Sequence, residues 1–158
     1  WKKNKLRNQI KFMKKTKALI SHTSYDTLDI RGKVVGKRIA RNFYHVKDLL
    51  KSCDIGLSTV IIDKKIYGYD CNFSNFKTKE DFVFWLKILK KGYFIHGLNQ
   101  NLAAWKQTEN SLSSSIIQKL ADGYKVYFSY MKFNFLKSFI YLIYLSLNFI
   151  KKDYLKLN

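Results

Sequence analysis

The stretch "ALISHTSYDTLDIRGKVVGKRI", Ala18–Ile39, decides the fold class. Its first part is rich in β-branched and aromatic residues, which suit a pleated surface. "DIRGK", residues 29–33, is a turn in which Gly32 supplies a permissive backbone. "KVVGKRI" then reads as the returning strand of a hairpin.

The flanks of the hairpin are helical. Upstream, residues 3–15 place Leu6, Ile10 and Met13 at helical spacing, with lysines on the other side. Downstream, "HVKDLLKSC" (45–53) is a short helix and "IGLSTVIID" (55–63) a strand. Residues 64–77 form a longer connection holding Gly68, Asp70, Asn72 and Asn75, the kind of loop that often carries function. A helix is expected over 79–91, stopped by Gly92. "YFIHGL" and "NLAAWKQ" read as two short strands, and "TENSLSSS" as a polar connection. From Ile116 the chain is helical nearly to its end, bent or broken near Asn134. This order suits an α/β or α+β layer with a mixed sheet.

The 158 residues fit one core, and 47% of them are apolar. There is no Pro, so no Pro-rich linker divides the chain. The chain begins at Trp1 in an already amphipathic segment and reads as part of a longer protein. Cys53 and Cys71 are too few for a disulfide framework and fit a reducing compartment. The net charge is +19. It points either to an anionic partner or to a solvated, lysine-rich surface. Only four of the 30 basic residues are Arg, and no zinc, RNP-type or helix-turn-helix pattern is present, so a specific nucleic-acid reader is not expected.

Glu80 and Asp81 are the only adjacent acidic residues. Two readings fit them. In one, Thr78 caps the helix, Asp81 completes a Thr-x-x-Asp capping pattern, and Glu80 meets the positive end of the helix dipole. In the other, a carboxylate held rigidly at a helix N-terminus faces a cleft and takes a proton from an attacking hydroxyl. Local sequence does not choose between them.

Several segments, in order, resemble the C-terminal half of a bacterial glycosyltransferase family 2 protein. "TKEDFVFWLKILKKG" resembles its Glu-Asp motif and following helix. "LLKSCDIGLSTVIIDKK" is similar to the segment before that motif. "GLNQNLAAWKQTENSLSSS" is similar to the one after it. "SYDTLDIRGKVVGKRI" resembles the family's hairpin, and "WKKNKLRNQIKFMKK" the helix that follows its Asp-x-Asp motif. The resemblance covers about residues 1–130.

The resemblance implies an α/β fold, an incomplete GT-A (Rossmann-like) mixed sheet with flanking helices. Residues 1–110 would be the acceptor-side half and 111–158 a C-terminal amphipathic helical extension. It implies inverting transfer from a nucleotide-sugar donor to a saccharide or lipid-linked acceptor in cell-surface polysaccharide synthesis. By position, Asp81 would be the general base and Glu80 its motif neighbour. Ser58 and Thr59 would lie on the acceptor side. Trp105 and Lys106 match an aromatic-basic pair, with Lys replacing the usual Arg and so lacking its bidentate fork. No Asp-x-Asp occurs in the chain. The divalent metal (Mg or Mn) expected in the full-length enzyme would find its ligands elsewhere, and the chain alone would be inactive. The rival reading is a non-catalytic, basic module that binds membrane or nucleic acid.

Phe139–Ile150 is an apolar run broken only by Ser146 and Asn148, with Lys137 before it and Lys151 and Lys152 after it. It is shorter than the ~20 residues needed to span a bilayer. Its tyrosines and lysines suit a helix in the headgroup region, or equally one packed on protein. The expected location is cytoplasmic, including the inner face of the cell membrane. His22, His45 and His96 show no metal-ligand spacing. Ser113, Ser114 and Ser115 read as a helix-start loop, and Trp85 reads as core.

Overall fold

The computed structural model describes residues 1–66, 72–106, 108 and 115–154, with side chains to Lys152. It is a mixed α/β structure. Strand β1 (Ile20–Leu28) lies at the centre of a four-stranded sheet. Antiparallel β2 (Val34–Arg38) pairs with its second half, and β3 (Ile61–Ile62) pairs antiparallel with its start. Parallel β4 (His96–Lys106) follows β1 from Ser21 to Leu28. The expected hairpin is present. Asp29 closes its turn by accepting the Arg31 and Lys33 amides, and Gly32 adopts φ 85°.

The described residues also form five α-helices: α1 (Lys5–Thr16), α2 (Val46–Leu50), α3 (Glu80–Lys90), α4 (Ile116–Lys125) and α5 (Phe135–Tyr154). Helix α3 is buried almost all round, from Phe82 to Leu89, as a helix inside a core must be. It ends at Gly92, whose φ of 83° favours glycine. Val126 and Tyr127 join the same core, and the Tyr127 hydroxyl donates to the Leu50 carbonyl at 2.6 Å. Trp85 is core, as expected.

The break near Asn134 has a local cause. After α4 the chain makes a π-helical turn over Val126–Tyr130, and Lys132 then adopts φ 58°. Asn134 starts the next helix, its side-chain carbonyl accepting the Lys137 amide at 2.9 Å.

Four expectations are corrected. The strand over 55–63 shrinks to Ile61–Ile62, because Leu57–Thr59 curls into a 3-10 turn. The two short strands after Gly92 are one strand, β4, whose register shifts near Thr23 and Ser24 of β1 absorb the Asn-Gln-Asn stretch. Helix α1 is where it was expected, but Leu6 and Ile10 face solvent while Lys5 and Gln9 are buried. The reason is a satisfied polar network: Lys5 donates to Gln9, and Gln9 donates to the Ser21 carbonyl and hydroxyl and to the Thr59 carbonyl. Thr78 does not cap α3. Its amide and hydroxyl both donate to buried Asp122 of α4, each at 2.9 Å, and Lys79, at φ 70°, is the residue that leads into α3. Much of the loop over 64–77, including Gly68 and Asp70, lies outside the described residues, as do Cys71, Ser113 and Ser114.

Candidate active site

Asp81 sits in the first turn of α3, partly buried, where its carboxylate accepts the Phe82 amide at 2.7 Å. Burial pushes its carboxyl above the ordinary carboxylate range, and neighbouring Glu80 adds to the rise. The Phe82 amide and Lys79 oppose it. A carboxylate so destabilised in its charged form is a better proton acceptor.

Two groups share the field of Asp81. The Cys53 thiol is pushed up to about 12, first by burial and then by Asp81. Tyr25 of β1 has its hydroxyl held protonated, chiefly by burial, with Asp81 a smaller contributor and Arg38 opposing. The Tyr25 ring lies directly over Gly56, where an added Cβ would meet it at 3.1 Å. Gly56 therefore lets the loop that follows Cys53 close against the ring.

That loop is held firmly. Buried Asp54 pairs with Lys152 of α5 at 2.5 Å and with the Arg41 Nε at 3.7 Å. Arg41 also donates to the carbonyls of Asp48 and Ser52 and stacks on Phe43. Ser58 and Thr59 follow in the 3-10 turn. The buried Thr59 hydroxyl donates to the Gly56 carbonyl at 2.6 Å, and the Ser58 carbonyl accepts the Trp1 indole N–H at 2.6 Å. Thr59 thus closes the turn, while the Ser58 side chain is exposed.

Trp105 and Lys106 end β4 opposite Thr27 and Leu28. Strand alternation puts Trp105 on the sheet face that carries Tyr25 and its β2 partner Arg38, and Lys106 on the other. The structure therefore brings the Tyr25 ring against the 56–59 turn at Gly56, and sets Tyr25 and Cys53 within the electrostatic reach of Asp81 and its sequence neighbour Glu80. It leaves Trp105, 42% exposed, two rungs along the same face, and Lys106 behind it. Tyr25, Arg38 and Cys53 are additions that sequence reasoning missed. Alternation along the hairpin pairs Tyr25 with Arg38, but only the fold brings Tyr25 within the field of Asp81. One shallow hollow, lined by Ile10, Met13, Lys17 and Ile61, lies away from this cluster.

The chain is 32% identical over 153 residues to the putative teichuronic acid biosynthesis glycosyltransferase TuaG of Bacillus subtilis, covering 96% of this chain and 60% of that protein. It is 31% identical over 129 residues to a UDP-Glc:alpha-D-GlcNAc-diphosphoundecaprenol beta-1,3-glucosyltransferase, WfgD of Escherichia coli, covering 80% of this chain and 49% of that protein. Its homologues are glycosyltransferases. A third, WfaP of Escherichia coli, carries the same enzyme description and is 33% identical over 102 residues, which is 65% of this chain and 39% of that protein. The chain spans between about two-fifths and three-fifths of the length of these relatives. It matches no protein-family profile and no solved structure.

Proposed function

We propose that this chain is the acceptor-side portion of an inverting family 2 glycosyltransferase of GT-A fold. It would move a sugar from a nucleotide-sugar donor to a saccharide or lipid-linked acceptor in cell-surface polysaccharide synthesis, on the cytoplasmic side. The relatives' names support that substrate class: one is described as acting in teichuronic acid biosynthesis, two as acting on a diphosphoundecaprenol-linked sugar.

The observation that carries the reading is Asp81, a desolvated carboxylate fixed in the first turn of a helix by the Phe82 amide. In the proposed step an acceptor hydroxyl attacks the anomeric carbon. The bond to the nucleoside diphosphate breaks, and the hydroxyl proton passes to Asp81. The sugar's configuration inverts in this single displacement. Glu80 acts on Asp81 through its charge, and Tyr25 offers a hydroxyl that stays a donor. Trp105 and Ser58 are exposed and available to a saccharide, with Thr59 shaping the turn and Lys106 at the strand end. A divalent cation, expected with the donor diphosphate, finds no cluster of three His, Cys, Asp or Glu side chains among the described residues. No step is assigned to it.

The test is sugar transfer by the full-length protein that contains this chain. Asp81→Asn is expected to lower the rate by about 10²–10⁴-fold, the usual worth of a general base. A near-normal rate in a folded variant would remove the assignment. The 158-residue chain alone is expected to transfer nothing. Turnover by it would refute the view that the donor-binding half lies elsewhere. In the rival reading, a basic non-catalytic module, only charge reversal of lysines would alter behaviour, with a steep salt dependence.

A further inference from the structure

Helices α4 and α5 carry apolar side chains outward. Phe135, Phe139, Ile143 and Leu147 recur every four residues along α5, between 43% and 70% exposed, so they form one stripe. Ile117 on α4 is 81% exposed. Tyr124 of α4 stacks on Phe128 and meets Phe135 edge-on, which joins the two helices into one surface. This is more than scattered surface apolarity.

The opposite side of α5 is already engaged, so the stripe has no inward alternative. Tyr141, Leu142 and Leu145 pack on the core, the Asn148 amide donates to the Lys51 carbonyl, and Lys152 pairs with Asp54.

Charge identifies the occupant. Between Ser115 and Tyr154, the end of α5, the sequence has six lysines and two carboxylates, Asp122 and Asp153. Asp122 is 2% exposed and bonded to Thr78. Among the described side chains the exposed rim, with Lys132, Lys137 and Lys151 and with Lys125 beside Asp122, is therefore predominantly cationic. A second copy would set lysines against lysines on a chain already at +19. An anionic lipid surface satisfies both features: phosphate headgroups take the lysines, and the acyl boundary takes Phe, Ile and Leu. No helix among the described residues is long and apolar enough to cross a membrane. The 20 residues of α5 would instead lie flat over about 30 Å.

We propose that the outward face of α4 and α5 seats this chain on an anionic phospholipid bilayer. Because Lys152 and Asn148 tie the opposite side of α5 to the segment bearing Lys51 and Asp54, that segment would then lie about one helix diameter, ~10 Å, from the apolar seat.

The experiment is flotation of the whole chain with phosphatidylcholine vesicles, with and without phosphatidylglycerol. Binding is expected with phosphatidylglycerol, weakening as salt is raised. Phe139→Glu with Leu147→Glu should lower the partition by more than about tenfold, since each apolar side chain is worth that much when buried. Both positions face outward, and circular dichroism checks that the variant is folded. Failure of the folded wild-type chain to float overturns the proposal. So does flotation that the double variant leaves unchanged. A dimer that the variant dissolves, in a chain that does not float, overturns it in favour of a second copy. The readout is binding alone, so it is independent of whether Asp81 is a base.

Discussion

At the scale of single residues, Asp81 is the clearest departure from structural economy. Its carboxyl is raised, so the folded chain holds the proton more tightly than the unfolded chain does. Between the ordinary carboxylate value and the raised one, stability falls as pH rises. Asp81→Asn removes that loss. At neutral pH the variant is expected to melt at the same temperature as wild type or higher, at about 2–4 °C per kcal/mol recovered. The gap should close as acid protonates Asp81. A clear drop in Tm at neutral pH would mean that the carboxylate serves the fold. Catalysis should show the opposite limb: transfer by the full-length enzyme should fail on acidification, with a midpoint above the usual carboxylate range. His22 behaves differently. Buried, and hydrogen-bonded to the Arg41 carbonyl at 2.8 Å, it is held below its usual value and stays neutral inside the sheet.

At the scale of elements, two junctions should be sensitive. Thr78 and Asp122 tie the start of α3, and so Asp81, to α4. Asp122→Ala leaves a buried amide and hydroxyl without that acceptor and is expected to cost about 1–3 kcal/mol in denaturant unfolding. Gly97→Ala puts a Cβ 2.6 Å from the Arg41 backbone, where no flexible side chain can give way. It should lower Tm more than Gly32→Ala, whose turn has open space around it. The legibility of the elements follows the same logic. Hairpin, helices and the Asn134 break were readable because their causes are local: a Gly turn, a 3.6-residue period, an Asn cap. The buried face of α1 was not, because Gln9 is claimed by Ser21 and Thr59, which are remote in sequence. Thr78 looked like a cap because its rival, Asp122, is 44 residues away. The Glu-Asp pair could be picked out from the sequence alone, whereas its neighbours Tyr25 and Cys53 needed the fold.

At the scale of the whole molecule, a charge of +19 on 158 residues opposes compaction by self-repulsion. Tm should therefore rise as salt is added from low ionic strength, because the repulsion is screened over about 10 Å at 0.1 M. A flat salt response would mean that the lysines are already far enough apart. Much of the surface remains apolar at α4 and α5, and the outward stripe of α1 adds Leu6 and Ile10. The placement of β1 has a consequence in time as well as in space. Its parallel neighbour β4 comes late, with Ser24 bonded to Asn99 75 residues on. At synthesis rates of about 5–20 residues per second, β1 and β2 wait roughly 4–15 s for that neighbour. During that interval the nascent hairpin shows a bare strand edge, and β1, the best-protected strand once the protein is made, is the one most exposed to chaperones and to mispairing while it is being made.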